Sequence, residues 1–257
     1  MRHTFRYTAV GEVMPGAHVG LSDRDAHHLS RVVRRRPGDQ VELIDGEGRI
    51  WPATVVDDGG APMLRVGAAP RETPPAAPVT LYQGLGDWNR IDVVIEKAAE
   101  LGVERIVLMA TERVRRRPEP DAWRRRRERL DRVAEAAARQ SGRGTLPRIG
   151  GLVDLAEALE EAGEGAILLD PRGDRPLGEE LEHAAGAGPV RLLVGPDTGF
   201  SEAELAAARG RGACICTLGA ATLRTETAAL VALSLALDAT SHLRMPPRDH
   251  GQGVTAQ

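Results

Sequence analysis

Lysine is almost missing from this chain of 257 residues: Lys97 is the only one, so nearly all positive charge is guanidinium. That bias alone does not select phosphate binding, because an arginine-rich genomic base composition would produce it as well. Cysteine is also scarce. Cys214 and Cys216 are the only two, and both sit in the apolar, strand-like run Ala213-Cys214-Ile215-Cys216. Residues two apart on a strand share a face, so the pair reads as small core or half-buried side chains. One C-x-C without partner ligands falls short of the four that a structural metal site needs, and no metal is expected. No apolar run approaches the roughly 18 residues that span a bilayer. Met1 to Tyr7 has no apolar signal region after its charges, so the expectation is a cytoplasmic protein with no membrane partner. No internal repeat is visible.

The content that is present, 42% hydrophobic and 28% charged, is that of a globular protein of one or two domains. The net charge of −3 hides an asymmetry. Residues 105–148 carry 14 Arg against 6 acids, a local +8, whereas residues 149–257 carry 8 Arg against 16 acids, a local −8. Arg113, Arg115, Arg116, Arg117 and Arg124 to Arg127 make a footprint large enough for a polyanion. The competing reading is a solvated helix face with acids interspersed.

Two parts follow one another along the chain. In residues 1–70, Gln40 to Ile44 and Arg49 to Val56 flank Asp45-Gly46-Glu47-Gly48, a hairpin signal. A β-rich domain is expected there. Residues 71–78, with three prolines, read as a linker. From Val79 to about residue 243, strands and helices alternate. Strands are expected at Val79–Leu85, Arg105–Ala110, Ala166–Asp170, Val190–Gly195 and Ala213–Leu218. Helices are expected at Arg90–Leu101, about Glu119–Gln140, from the capping box Ser201-Glu202-Ala203-Glu204 to Gly210, and at Ala228–Ala239. Such alternation predicts an α/β domain, a mainly parallel sheet with helices on both faces, and ligands outside the carboxyl ends of its strands. Residues 244–257 read as a disordered tail.

Two strand ends share a chemical character. One runs into Gly195-Pro196-Asp197-Thr198-Gly199, the other into Gly219-Ala220-Ala221 and then Arg224-Thr225-Glu226-Thr227. Small residues allow the close backbone approach that suits a flat ligand. Neither turn matches G-x-G-x-x-G or the P-loop, which argues against Rossmann-type dinucleotide binding and nucleoside triphosphate hydrolysis. The second turn has two readings. It is an ordinary strand-to-helix connection, with Thr225 or Thr227 as N-cap and Glu226 favoured by the helix dipole, or it is a binding surface of free N–H groups and polar side chains.

Taken together, certain segments resemble the RsmE-type 16S ribosomal RNA uridine N3-methyltransferases of the SPOUT class. They are His28-Leu29-Ser30-Arg31-Val32-Val33-Arg34 with Pro37-Gly38-Asp39, Lys97-Ala98-Ala99-Glu100-Leu101-Gly102-Val103, Thr111-Glu112-Arg113, and Ala136 to Arg143. Gly195-Pro196 with Gly199-Phe200-Ser201, and Leu218 to Ala228, complete the set. The resemblance implies a PUA-like β-barrel that helps bind RNA, followed by a methyltransferase domain with a trefoil knot. It also implies S-adenosylmethionine as methyl donor, ribosomal RNA or the small ribosomal subunit as substrate, and a homodimer. The cofactor would lie among Leu169, Val194, Gly195, Pro196, Gly199, Leu218, Gly219, Leu223, Thr227 and Ala228. His28, Arg31, Arg34, Arg113, Gln140 and Arg143 would face RNA.

Methylation at uridine N3 requires loss of the N3 proton and stabilisation of charge spreading onto the base carbonyls. Arg224 is the candidate for that stabilisation, and Glu226 for a base or an orienting carboxylate. The chain departs from the family pattern at Asp87, where a Lys-Gly pair is replaced by Asp87-Trp88, and at Asp197, Thr198, Ala220 and Ala221. These departures leave open a divergent SPOUT enzyme with another RNA site or a small molecule as acceptor, or a non-catalytic RNA-binding protein on the same scaffold.

Overall fold

The computed structural model describes residues 5–56, 59–114, 117–184 and 188–244. Arg115, Arg116 and the expected tail beyond Arg244 therefore lie outside the described residues.

Short alternating strands build the first sheet. These are β1 (Arg6–Thr8), β2 (His18–Val19), β3 (Gln40–Ile44), β4 (Arg49–Val56), β5 (Met63–Val66) and β6 (Arg71–Glu72). They run in the order β1-β3-β4-β5-β2, with β6 also on β4. The expected hairpin is present: Ile44 pairs with Ile50 across the Asp45–Gly48 turn. Helix α1 (Asp23–His27) continues directly into a π-helical turn, His28–Val32. Tyr7, Leu29, Leu43 and Trp51 pack this small core.

The second sheet holds β7 (Ala77–Gly84), β8 (Val103–Ala110), β9 (Arg148–Asp154), β10 (Ile167–Leu169), β11 (Arg175–Pro176), β12 (Val190–Val194) and β13 (Cys214–Thr217). Its order is β11-β13-β10-β12-β7-β8-β9 and every pairing is parallel. Strand alternation divides the core between its faces. Leu81, Leu108, Leu192, Val194 and Ile167 point to one face, while Tyr82, Met109, Leu193, Leu168 and Ile215 point to the other. Against the first lie helices α2 (Trp88–Leu101), α3 (Pro120–Ser141), α5 (Leu177–His183) and α7 (Thr225–Ala239); against the second lie α4 (Leu155–Ala162) and α6 (Glu202–Gly210). The expected capping box at Ser201 is present, with Glu204 N–H donating to Ser201 Oγ at 3.2 Å. No helix among the described residues is long and apolar enough to cross a membrane.

The proline-rich stretch is ordered at both ends, since Arg71–Glu72 pair with β4 and Ala77 opens β7. The two sheets are also stitched together beyond that stretch. Arg139 Nη1 donates to Asp25 at 2.7 Å, Arg6 reaches the Arg139 carbonyl at 3.0 Å, and Gly48 N–H donates to the Gly144 carbonyl at 3.0 Å.

Candidate active site

Three strand ends, not two, converge on one hollow. The segments after β10 (Asp170, Pro171), β12 (Gly195 to Phe200) and β13 (Leu218 to Arg224) enclose a cavity of about 290 Å³. Of the residues expected to hold a cofactor, Leu169, Val194, Gly195, Pro196, Gly199, Leu218, Leu223 and Ala228 line it. Gly219 and Thr227 do not, and both are exposed. Helix geometry explains Thr227. At 100° per residue, Arg224, Thr225 and Ala228 share the cavity side of the α7 start, while Glu226 and Thr227 turn away.

The start of α7 differs from the threonine cap read from sequence. Its N-cap is Arg224, which makes no side-chain cap bond. Thr225 is buried and serves the neighbouring loop: its hydroxyl donates to the Gly195 carbonyl at 2.6 Å and accepts from Gln83 Nε2 at 2.8 Å. A buried polar relay thus locks the end of β7, the loop after β12 and the start of α7 together. Sequence gave no hint of Gln83, which reads as one more strand residue.

Asp170 is a second residue that sequence reasoning missed. It is buried in the cavity wall, gripped by Arg172 through Nε at 2.7 Å and Nη2 at 2.8 Å and by the Arg172 backbone N–H at 2.9 Å. Burial alone would raise its pKa. The Arg172 hydrogen bonds, with the charges of Arg172 and Arg113, outweigh burial and hold it below the ordinary carboxylate range. Arg172 Nη2 also donates to the Phe200 carbonyl at 2.9 Å, so this pair props the loop after β12. A depressed folded pKa contributes stability that is complete above the unfolded value of about 3.9 and is lost as pH falls toward the folded one. The stability gap between wild type and Asp170→Asn, measured by urea unfolding, should therefore shrink below about pH 4. An equal gap at pH 6 and pH 3 would contradict this account.

Arg224 is exposed at the cavity rim and makes no ion pair among the described residues. Glu226 does not line the cavity. It lies 3.6 Å from Arg90, whose other carboxylate partner is Asp197. The Glu226 Oε2 atom is buried without a hydrogen-bond partner. The departures at Asp87 and Asp197 thus have local uses. Asp87 caps α2, accepting from Asn89 N–H at 2.9 Å and Arg90 N–H at 3.3 Å, and Asp197 anchors Arg90. Ala220 and Ala221 are exposed, and Ala221 lines the cavity mouth.

The residues expected to face RNA divide. Arg113 is brought to the cavity loops, donating to the Thr198 carbonyl at 2.7 Å. Arg31, Arg34 and Gln140 are exposed. His28 is half-buried, with its Nδ1 3.3 Å from the Tyr7 hydroxyl and its ring tilted against Phe5. Arg143 is turned inward: its Nε donates to the Glu100 carbonyl at 2.7 Å and Nη2 to the Leu101 carbonyl, closing the C-terminus of α2. Carbonyls left over at a helix end attract a guanidinium, so in this structure Arg143 is engaged in helix capping.

The wall chemistry suits S-adenosylmethionine. Leu169, Val194, Leu218 and Leu223 supply apolar surface, and at Gly199, which also lines the cavity, a Cβ would meet nothing within 4 Å. A flat, partly polar molecule is bound in such pockets by apolar walls and backbone groups.

Similarity to known proteins agrees with this geometry. Residues 72–237 match the RNA methyltransferase domain model, and residues 21–60 match the RNA methyltransferase PUA domain model. The ribosomal RNA small subunit methyltransferase E of Mycobacterium bovis is 34% identical over 230 residues, covering 85% of each chain. The chain belongs to the ribosomal RNA small subunit methyltransferase E family. The Synechocystis member is 30% identical over 236 residues, covering 90% of this chain and 76% of its own. Among solved structures, the Neisseria gonorrhoeae member bound to S-adenosylmethionine superposes with a TM-score of 0.80 at 28% identity, covering 92% of this chain and 98% of its own. A Legionella pneumophila methyltransferase in complex with the same cofactor gives 0.82 at 28% identity, with the same coverage.

Proposed function

We propose that this protein is a cytoplasmic S-adenosylmethionine-dependent methyltransferase that modifies N3 of a uridine in 16S ribosomal RNA. The observation that carries the reading is the apolar cavity at three converging strand ends, with the guanidinium of Arg224, which makes no ion pair among the described residues, at its rim. When bound, the cofactor supplies an electrophilic methyl group. The chain's own residues do the rest. Gly195, Pro196 and Gly199 hold the donor close to backbone, and the Gln83–Thr225 relay fixes the loop that carries them. Arg224 donates to the uracil carbonyl on which charge develops as N3 loses its proton to solvent water. Glu226 serves as an orienting carboxylate, since it faces Arg90 rather than the cavity.

The first sheet is a PUA-like β-barrel that helps hold RNA, and the junction with the methyltransferase domain falls within residues 71–78. The trefoil-knotted reading is supported by strand order: the chain leaves β10, fills the place between β10 and β7 with β12, then runs to β13 on the far side of β10. The homodimer is supported by apolar side chains left on two packed helices. Val93 on α2 is 40% exposed, and Val231 and Leu235 on α7 are 37% and 39% exposed. Val231 and Leu235 are four apart and share one helix face. Val231→Glu with Leu235→Glu should halve the mass seen by light scattering, and an unchanged dimer mass would place the interface elsewhere.

Two measurements test the function. Calorimetry should detect S-adenosylmethionine binding to the purified protein. Nucleoside mass spectrometry of 16S ribosomal RNA from a deletion strain should show loss of 3-methyluridine; undiminished 3-methyluridine in that strain excludes this substrate.

A further inference from the structure

Beside the cofactor cavity the surface opens into a wider cleft of about 860 Å³, and the two share Pro196 and Asp197 as walls. That cleft shares Trp88, Pro118 and Ala122 with a third hollow of about 480 Å³. The three form one continuous depression leading away from the cavity mouth. Four of the seven residues lining the outer hollow are arginines, Arg125, Arg126, Arg129 and Arg132, and the only aromatic is Trp88. The guanidinium of Arg126 lies 4.6 Å from the centre of the Trp88 indole.

What these cations are bound to separates a docking surface from an ordinary charged helix. Arg124 pairs with Asp121, Arg127 with Asp131, and Arg129 with Asp92 through two hydrogen bonds of 3.1 and 2.6 Å. Asp121, Asp131 and Asp92 are thus already paired. Arg125, Arg126 and Arg132 make no ion pair or side-chain hydrogen bond among the described residues; all three line the outer hollow, and Arg126 lies over Trp88 there. Glu128 is on the same helix but lines none of the three hollows. The acids of the middle cleft are Asp87, Glu119 and Asp197. Asp87 caps α2, Asp197 binds Arg90, and Glu119 sits at the N-cap of α3, where the helix dipole favours an anion. The unpaired charge in the outer hollow is therefore positive, and the aromatic lining it is the Trp88 indole.

We propose that Trp88 is a stacking platform, and Arg125, Arg126 and Arg132 its phosphate contacts, for the single-stranded RNA that flanks the methylated nucleotide. The proposal rests on the RNA-methyltransferase reading above and adds to it the path the substrate takes. An aromatic face beside guanidiniums holds a base through its π-surface and the backbone through charge, without selecting a sequence. It also gives the replacement of the family's Lys-Gly by Asp87-Trp88 a use. The lost cation is made up by the row on α3, and the indole supplies a stack that glycine cannot.

The test titrates a short fluorescein-labelled single-stranded RNA into the full-length protein, followed by anisotropy, with S-adenosylmethionine affinity measured in parallel by calorimetry. Trp88→Ala should weaken RNA binding by roughly tenfold or more, and Trp88→Phe, which keeps an aromatic face and the packing against the apolar core, by clearly less. Arg125→Ala and Arg132→Ala are exposed changes that leave the fold alone. Each should weaken binding and flatten the salt dependence by roughly 0.7 in the log–log slope. Cofactor affinity should not change in any of them. Wild-type RNA affinity in Trp88→Ala, or unaltered salt slopes in both arginine variants, overturns the track while leaving the methyltransferase reading intact. A wild-type protein that binds neither the RNA nor the cofactor overturns both.

Discussion

Replacing Arg224 with alanine should lower the rate of methyl transfer by about 10²–10³-fold, the usual cost of removing one donor to a developing oxyanion. The size of the effect follows from when the interaction matters. A neutral uracil carbonyl gains little from a guanidinium in water, but the N3 anion spreads charge onto both neighbouring carbonyls. The contact is therefore stronger in the transition state than in the ground state, and its loss falls on kcat more than on KM. The structure leaves Arg224 free for the proposed role. It stands at the N-cap of α7 without making a cap bond, lines the cavity rim, and has no acidic partner among the described residues. Single-turnover rates with 16S ribosomal RNA, measured beside cofactor affinity, distinguish this role from a binding one. A loss confined to cofactor affinity, with kcat preserved, would assign Arg224 to donor binding instead.

The parts of the fold that were readable from sequence are those that bury one stripe or one face. Helix α2 and the strands β7, β8, β12 and β13 appeared within a few residues of their observed ends, because Leu81, Ile91, Ile95 and Leu192 carry the period. Strand β9 did not. Gly150 and Gly151 interrupt its pattern, and the first is there because a Cβ would come within 2.8 Å of Val107 Cγ2. Helix α4 also went unread, although Asp154 and Glu157 form a capping box of the same design as Ser201 and Glu204. In the site, turns of small residues located two of the three cavity walls. The third, after β10, has no such signal, since Asp170 owes its place to Arg172 two residues on, and that grip exists only once the chain has turned. The Gln83–Thr225–Gly195 relay links positions far apart in the chain and could not be read from local pattern at all.

That relay depends on a close backbone approach, so Gly84→Ala should be severely damaging. A Cβ on Gly84 would sit 2.6 Å from the Gly195 carbonyl carbon, 2.5 Å from Pro196 Cδ and nearer still to the Pro196 nitrogen. The obstacles are backbone and a proline ring, with no flexible side-chain end to swing aside, so the loop after β12 must move. Gln83 is paired with Val194 in the sheet and hydrogen-bonded to Thr225, so displacing its neighbour pulls on the lock that shapes the cavity. Overpacking of this kind costs about 1–3 kcal/mol, and the loop that shifts is the one proposed to hold the donor. Thermal unfolding should therefore fall together with S-adenosylmethionine affinity, the latter by roughly tenfold for each 1.4 kcal/mol that reaches the site. Gly86→Ala is the matched control. Two residues on, the added Cβ would lie 3.8 Å from Pro196 Cβ and 3.8 Å from the Asp197 carboxylate, ordinary contact distances. Both variants add one methyl beside the same loop, and only the first should harm binding. If the two behave alike in melting temperature and cofactor affinity, the close approach of β7 to Pro196 is not what holds the cavity in shape.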